Sequence, residues 1–279
     1  MSSTVAVINW NSGYLLRTCI ESLLATATNA EILVIDNASG DTSLESVEGF
    51  RNRVNFVRNS VNRGFAAAVN QAFHTTSTPY VLILNPDIRV MPGSIHLLEQ
   101  FLDSHERAAA AGGYVGDKYL PRKFPTVGGL VLQNLGASRA GDVPRKKEPV
   151  LVDQPAAAAL MVRRDAYDEV GGFDEQFYPA WYEDVDFCRR LKAKGWETYF
   201  VPDAEFLHEG GYSAEALGSS DFLRSFYSNQ FRYAAKHFGH LGAVAVRLSI
   251  AAGMIGRMIG RPKHASAYGK VLLGALKGW

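Results

Sequence analysis

Cysteines, acidic residues near the C-terminus and long uncharged apolar runs are all scarce in this chain of 279 residues. The two cysteines, Cys19 and Cys188, are too few for a disulfide scaffold and fit a reducing compartment. The sequence has no basic-then-apolar leader, and it has no run of 18 uncharged apolar residues that would predict a membrane-spanning helix. A composition of 47% hydrophobic and 20% charged residues excludes a disordered chain. We therefore expect a cytoplasmic globular protein.

The missing acids make the charge uneven along the chain. No Asp or Glu follows Asp221, whereas nine Lys and Arg residues do, so the first 221 residues carry a formal net charge of −8. We expect a main domain over residues 1–220 and a basic, apolar helical extension over residues 221–279. Within the extension, Arg247 and Arg257 interrupt the apolar stretch 241–260, which is typical of a helix that lies in a membrane interface. The alternative is a helix pair that packs on the domain or on another subunit.

Strand-like and helix-like segments alternate through the first half of the chain. Helical spacing of apolar residues predicts helices over 14–24, 64–75, 93–105 and, later, 182–196. Apolar runs predict strands over 4–10, 31–36, 54–59, 80–86 and 198–213. This alternation predicts an α/β fold with a mostly parallel central sheet flanked by helices. The Gly- and Pro-rich stretch 112–155 has no pattern that places its elements.

Polar side chains follow three of the predicted strands. They are Asn9, Asp36 with Asn37, and Asn85 with Asp87. Ligands of open α/β sheets bind beyond the carboxyl ends of the strands, so these side chains predict a site. Each aspartate alone could be an ordinary turn residue. The two together, without a nearby basic residue, indicate a divalent cation such as Mg²⁺ or Mn²⁺ with an anionic ligand.

Seven further residues, in four groups along the chain, are candidates for the site, and most of them also have a structural interpretation. Glu183 and Asp184 either provide a general base or favour the positive end of a helix. Trp181 and Tyr182 either line a sugar site or belong to the core. His208 is either a ligand of metal or diphosphate or a surface histidine. Arg63 and Gly64 precede a predicted helix, where an anionic group can bind.

Six segments in order resemble the GT-A (Rossmann-like) glycosyltransferases of family 2, and among them the bacterial rhamnosyltransferase-like group. They are VINWNSGYLLRTCIESLL, EILVIDNASGDTS, NRGFAAAVNQA, YVLILNPDI, GGFDEQFYPAWYEDVDFCRRLKAKGW and HEGGYS, within residues 4–213. Each segment is weakly specific, but the ordered set is highly specific.

The resemblance implies a role for each matching residue. Asp184 corresponds to the catalytic base and Glu183 to its supporting acid. Asp87 and His208 correspond to metal ligands, with Asn85 in place of the first acid of the metal motif. The residues that would bind the nucleotide are Asn9, Asp36, Asn37, Arg63, Gly64 and Asn85, and those that would bind the acceptor are Trp181 and Tyr182.

The implied activity is an inverting, metal-dependent transfer of L-rhamnose from dTDP-β-L-rhamnose to a polyprenyl-diphosphate-linked glycan. The implied location is peripheral, on the cytoplasmic face of an anionic plasma membrane, with no nucleic-acid partner and with homo-oligomerisation left open. A different donor, such as UDP-galactofuranose, UDP-GlcNAc or a GDP-sugar, is one alternative. A nucleotide-sugar-binding scaffold without activity is another.

Overall fold

The structure is a computed structural model that describes residues 3–26, 29–137, 148–208 and 219–279. Its α-helices are α1 (Leu15–Ala25), α2 (Phe65–Thr75), α3 (Ser94–Ser104), α4 (Val127–Asn134), α5 (Arg164–Val170), α6 (Glu183–Ala193), α7 (Ser219–His237), α8 (Gly239–Gly260) and α9 (Ala265–Lys277). Its strands are β1 (Ser3–Asn9), β2 (Glu31–Asp36), β3 (Asn55–Arg58), β4 (Tyr80–Leu84), β5 (Ile88–Val90), β6 (Ala108–Tyr114), β7 (Val150–Leu151), β8 (Ala159–Arg163) and β9 (Glu197–His208).

The strands form one sheet in the order β3-β2-β1-β4-β8-β6-β9-β5, with β7 on β9. The β3-β2-β1-β4 part is parallel, as the alternation predicts, and it places Asn9 opposite Asp36. Strand β8 then pairs antiparallel with both β4 and β6. The α/β fold class is confirmed, while the second half of the sheet mixes both pairings.

Helices cover both faces of the sheet, because alternate strand residues are apolar on each side. On one face, Val5 and Val7 of β1 pack with α1 and α3. On the other face, Ala6 and Ile8 pack with α2, α5 and α6. A sheet buried on both faces keeps its side chains fixed, so the strand ends form a rigid support for a site.

The last three helices build a separate apolar cluster, which α4 joins through Leu130. The Asn134 side chain of α4 donates to Ser249 Oγ at 2.9 Å, and a Cβ on Gly253 would lie 2.1 Å from Asn134 O. Helices α4 and α8 therefore approach closely because Gly253 has no side chain. The proposed boundary at residue 220 stays a prediction.

Helix α8 is long and apolar enough to cross a membrane by length and composition alone, with a mean hydropathy of 1.4. Its two arginines, however, bind backbone carbonyls of the protein. Arg247 donates to Leu276 O at 2.6 Å and Arg257 to Asn134 O at 2.8 Å. These contacts, with buried Val246 and Ile250, pack one side of α8 on the protein.

Candidate active site

Asp36 lies at the carboxyl end of β2, where Asn9 of β1 holds it. The Asn9 Nδ2 atom donates to Asp36 Oδ1 at 2.8 Å and to the hydroxyls of Ser39 and Ser43 at 3.1 Å each. Asn9 is fully buried and Asp36 nearly so. Asn9 therefore positions the Asp36 carboxylate, whereas the sequence predicts that Asn9 itself contacts the nucleoside. The serine contacts come from the turn after β2, which the sequence indicates only as a turn.

Asn37 fixes the loop that precedes α2. Its Nδ2 donates to Asn62 Oδ1 at 2.9 Å and to Gly64 O at 3.1 Å, and its Oδ1 accepts from the Arg63 amide at 2.9 Å. Both polar atoms of the Asn37 side chain are therefore used in hydrogen bonds within the protein, and Asn37 positions Arg63 and Gly64 in this structure. The Arg63 side chain is exposed.

Gly64 lies at the start of α2, with φ at 85°, a conformation that favours glycine. A Cβ there would lie 2.9 Å from Tyr178 Cδ2, so the glycine also permits the 178–179 segment to approach. The Phe65 amide donates to Pro179 O at 2.7 Å. The helix start is therefore packed against protein, and its predicted use as an anion site stays a prediction.

Asp87 and His208 meet where β5 begins and β9 ends. Strand β4 ends at Leu84, Asn85-Pro86-Asp87 forms the link, and Ile88 then pairs antiparallel with His208. This pairing brings the His208 Nε2 atom to 3.1 Å from Asp87 Oδ1. Both side chains are buried, so the structure unites two residues that stand far apart in the sequence. Asn85, the third residue predicted here, is half-buried beside them.

The unmatched atoms at this junction fit a bound cation. Within the described part of the chain, Asp87 Oδ1 and both ring nitrogens of His208 are buried without a hydrogen-bond partner of suitable geometry. Such orphaned groups are costly unless a ligand satisfies them. A carboxylate and an imidazole suit Mn²⁺, and Mg²⁺ prefers the carboxylate. The described residues contain no cluster of three or more His, Cys, Asp or Glu side chains, so any cation here needs further ligands such as substrate oxygens.

Asp184 lies in the first turn of α6, just after a sharp bend. Trp181 and Tyr182 have φ values of 78° and 74°, which side-chain-bearing residues rarely adopt. Strain of this kind is held by the surrounding structure and often marks functional sites. The half-buried Asp184 accepts a hydrogen bond from the Val185 amide at 2.8 Å.

The two carboxyls at the start of α6 have raised pKa values. Burial raises the pKa of Asp184 above its usual value, against the opposing effects of the Val185 amide and the Arg122 charge. Burial and the adjacent Asp184 charge raise the pKa of Glu183 well above its usual range. Glu183 Oε2 is buried and has no hydrogen-bond partner among the described residues. A carboxylate with a raised pKa is a stronger base, which is the chemistry that proton removal requires.

Asp186, the third acid of this helix, has its partners away from the site. It is fully buried and accepts from Arg190 Nε at 2.7 Å, from Lys236 Nζ at 2.9 Å and from His237 Nε2 at 2.7 Å. Lys236 and His237 belong to α7. The acid therefore joins α6 to the C-terminal extension.

Tyr182 packs in the core, one of the two interpretations of its sequence, and its predicted contact with an acceptor stays a prediction. Its hydroxyl accepts from Gln230 Nε2 at 3.0 Å, and its ring packs against Phe226 and Tyr233. These partners lie on α7, so the sequence around Tyr182 gives no sign of them. Trp181 is half-buried, with its ring edge-on to Phe222 at 4.7 Å.

Tyr119 and Arg122 come from the stretch that the sequence does not place. The Tyr119 ring lies 4.4 Å from the His208 ring. The positive charge of Arg122 opposes the rise in the pKa of Asp184 that burial causes. The density of basic residues in this stretch is its only sequence signal. Gly210 and Gly211, whose lack of a side chain would allow a close backbone approach beside His208, lie outside the described residues.

Comparison with known families gives a match that spans most of the chain. The family model described as "Glycosyl transferase family 2" matches residues 4–171, and "Glycosyl transferase family group 2" matches residues 148–242. Together these two ranges include every site residue named above.

Relatives with established names are similar over much of their length. The chain is 29% identical over 262 residues to N-acetylglucosaminyl-diphospho-decaprenol L-rhamnosyltransferase of Mycobacterium tuberculosis, covering 84% of this chain and 85% of that one. It is 25% identical over 184 residues to rhamnosyltransferase WbbL of Escherichia coli, covering 63% and 69%. The mannosyltransferase PcManGT from Pyrobaculum calidifontis, solved with GDP-Man and Mn²⁺, has the same fold, with a TM-score of 0.60 at 15% identity over 98% of this chain and 85% of that one.

Proposed function

Because the chain belongs to glycosyl transferase family 2 and is a glycosyltransferase, we propose that it transfers L-rhamnose from dTDP-β-L-rhamnose to a lipid-linked glycan. The observation that carries the proposal is the buried Asp87–His208 pair, whose unmatched polar atoms lie at the strand ends where a diphosphate would bind. The choice of rhamnose as the sugar is supported by two relatives named as rhamnosyltransferases. The acceptor class follows from the diphospho-decaprenol in the name of the first.

Each part of the site has a task in this reaction. Asp36, held by Asn9, binds the nucleoside of the donor. Asp87 and His208 would hold Mn²⁺ or Mg²⁺, which when bound stabilises negative charge on the departing diphosphate. Asp184 removes the proton from the acceptor hydroxyl.

The chemistry is a single displacement. The acceptor oxygen forms a bond to the anomeric carbon while the bond from that carbon to the diphosphate oxygen breaks, and dTDP leaves with the electron pair. Asp184 keeps the hydroxyl proton. Attack from the opposite face inverts the configuration, so a β-L-rhamnosyl donor gives an α-L-rhamnoside.

Product formation tests the proposal. Wild type and Asp184→Asn are incubated with dTDP-β-L-rhamnose, Mn²⁺ and a polyprenyl-diphosphate-linked GlcNAc, and the product is detected by mass spectrometry. We expect turnover by wild type and a loss of about 10²–10⁴-fold in the variant, with dTDP binding retained. Full activity of Asp184→Asn would exclude Asp184 as the base.

Parallel reactions address the other interpretations. Transfer only from UDP-galactofuranose, UDP-GlcNAc or a GDP-sugar would assign a different donor. Nucleotide binding without transfer from any donor would support the scaffold. For location, we propose peripheral attachment to the cytoplasmic face of an anionic membrane, supported by the basic, apolar extension.

A further inference from the structure

Asn229 of α7 has no task in the mechanism above, and it binds the chain just before α6. The residue is fully buried, although its helix belongs to the predicted C-terminal extension. Its Nδ2 atom donates to Tyr178 O at 3.2 Å and to Ala180 O at 2.8 Å. Its Oδ1 atom accepts from Arg232 Nη1. Both polar atoms of the side chain are therefore used, and the amide group binds the backbone that leads to α6.

The next residue, Gln230, is also fully buried and binds the same part of the chain. Its Nε2 atom donates to the Tyr182 hydroxyl at 3.0 Å. The Tyr182 ring packs on Phe226 and Tyr233, which belong to the same helix. Because a buried polar group that loses its partner keeps its desolvation cost, the bond favours a single position of Tyr182 against α7.

The start of α2 holds this part of the chain from another side. The Phe65 amide donates to Pro179 O at 2.7 Å, and a Cβ on Gly64 would lie 2.9 Å from Tyr178 Cδ2. The carbonyls of residues 178, 179 and 180 therefore all accept hydrogen bonds, two from Asn229 and one from α2. Residues 178–180 are fixed between two elements.

The backbone then enters a bend that its own residues do not favour. Trp181 and Tyr182 have φ values of 78° and 74°, and α6 begins directly after them. Residues with side chains keep such a conformation only when the surrounding structure imposes it. Asn229 and Gln230 bind the residues on either side of Trp181, which are Ala180 and Tyr182. The two amides of α7 therefore help to impose the bend.

We propose that Asn229 and Gln230 are positioning residues that set the place of Asp184 relative to the acceptor hydroxyl. This assignment rests on the proposed function, since it requires Asp184 to act as the base. The bend sets the direction in which α6 begins, and Asp184 lies in the first turn of that helix. A base must lie within hydrogen-bond reach of the proton that it removes, and a displacement of about 1 Å can cost about 10²-fold in rate.

The body of α6 is held independently of these amides. Phe187 and Leu191 are fully buried in the core beside the sheet, and Arg190 donates to Val170 O and Gly172 O. Loss of either amide should therefore loosen the first turn of α6 without unfolding the helix. The proposal predicts a loss of turnover that is separate from a loss of stability.

The test uses the full chain and five proteins: wild type, Asn229→Ala, Asn229→Asp, Gln230→Leu and Asn134→Ala. Asn229→Asp keeps the shape of the side chain but removes both donor hydrogens. Asn134 is the matched control, because it is an equally buried asparagine that donates to Ser249 Oγ at 2.9 Å and joins two other helices. If the buried charge of Asn229→Asp prevents folding, Asn229→Ala and Gln230→Leu give the comparison.

Hydrogen exchange measured by mass spectrometry reports on the bend without any turnover. The Asp186 amide donates to Tyr182 O at 2.9 Å, so its exchange rate shows whether the first turn of α6 stays closed. We expect this amide to exchange about tenfold faster in Asn229→Ala and Gln230→Leu than in wild type. Asn134→Ala should exchange there like wild type.

The transfer reaction then measures the effect on the base. We expect kcat to fall by about 10–10²-fold in the variants of Asn229 and Gln230, after correction for the unfolded fraction from urea unfolding. The Kd of dTDP should stay within about twofold, and the acceptor KM should change less than kcat. A role in stability alone would leave the corrected kcat unchanged.

Three outcomes overturn the assignment: unchanged exchange of the Asp186 amide, an unchanged corrected kcat, or an equal loss of kcat in Asn134→Ala. Transfer by wild type from a different sugar nucleotide would refute the proposed donor, while the kcat comparison with that donor still decides the role of α7. Absence of transfer from every donor would remove the base, and this assignment with it.

Discussion

At the scale of single residues, Asp87 and His208 form a buried pair whose polar atoms are not fully hydrogen-bonded by the described residues. Both side chains are buried, and three of their polar atoms have no hydrogen-bond partner in the described part of the chain. Leaving a buried polar group unsatisfied costs about 1–3 kcal/mol. A ligand that satisfies these atoms would recover this cost, and we propose that the ligand is a cation with its diphosphate.

Removing Asp87 should therefore uncouple nucleotide binding from metal. In wild type, dTDP at about 100 times its Kd stabilises by roughly 2.7 kcal/mol, and we expect Mn²⁺ to increase the shift at a fixed dTDP concentration. Asp87→Ala should show the same small dTDP shift with and without Mn²⁺, as measured by thermal unfolding. Asp165→Ala, an exposed acid in the first turn of α5, is the control. A metal-dependent shift that survives in Asp87→Ala would contradict the metal assignment.

Glu183 should make stability depend on pH in an unusual direction. Its raised pKa means that the folded chain holds a proton which the unfolded chain releases above about pH 4.5. The stabilising effect is complete below that value and is lost as the pH rises toward the folded pKa. Glu183→Gln removes this loss, so the variant should be more stable than wild type at pH 8 and similar to it at pH 4.

Urea unfolding at pH 4, 6 and 8 measures the difference in the free energy of unfolding. Glu21→Gln is the control, since Glu21 is half-exposed in its pair with Arg17. If the curves of wild type and Glu183→Gln ran parallel from pH 4 to 8, the raised pKa would be wrong.

Among the structural elements, the parallel strands β1, β2 and β4 follow their sequence most closely. Their apolar runs predict bounds that agree within about two residues, because a strand buried on both faces must be continuously apolar. The turn residues after them were also predicted to share one edge, and the register confirms this for Asn9 and Asp36. That much of the site follows from local pattern alone.

Short elements and distant partners could not be predicted. Strand β5 has three residues and β7 has two, too few to show a period, yet β5 is what brings Asp87 to His208. The antiparallel pairing of β8 with β4 and β6 depends on the path of the chain across the sheet, which local sequence does not show. The sequence around Tyr182 does not reveal that Gln230 donates to its hydroxyl, because Gln230 lies 48 positions later in the chain.

Helix α6 depends on α7 through buried Asp186, which accepts from the cations Arg190 and Lys236 and from the His237 ring. Asp186→Ala would remove the acceptor that these groups share, although Lys236 keeps Asp174 and Arg190 keeps two backbone carbonyls, and we expect a loss of roughly 3 kcal/mol in the free energy of unfolding. Urea unfolding checks this against Glu21→Ala, which removes a surface pair and should cost less than about 1 kcal/mol. Equal effects of the two variants would show that the buried network does not anchor the extension.

At the scale of the whole molecule, charge is distributed unevenly between the first 221 residues and the rest of the chain. The first 221 residues contain the candidate site and a formal charge of −8, whereas no acid follows Asp221. At least four of the nine cations are engaged within the protein: Arg232 with Asn229, Lys236 with Asp186, and Arg247 and Arg257 with backbone carbonyls. These contacts leave fewer cations for the proposed membrane attachment, so we propose that the apolar face of α8 contributes to it as well.

That face is an uninterrupted apolar stripe along α8. Its exposed residues recur at helical spacing on the side opposite buried Val246 and Ile250, and they are Leu241, Val244, Leu248, Ile255 and Ile259. Exposed Arg261 and Lys263 follow directly at its end. An apolar face beside cations, with no acid in this region, complements an anionic lipid surface.

Leu248→Asp with Ile255→Asp should therefore release the protein from membranes. Each leucine or isoleucine that enters lipid contributes about 1.5–3 kcal/mol, so sedimentation with vesicles containing one-third phosphatidylglycerol should weaken by more than about tenfold. Leu151→Asp, an equally exposed apolar position on β7, should sediment like wild type. High salt should weaken wild-type binding only partly, because the apolar contacts are not screened. Unchanged sedimentation of the double variant would exclude the stripe as the membrane contact, and a wild-type dimer that the double variant converts to monomer would assign the stripe to a second copy of the chain.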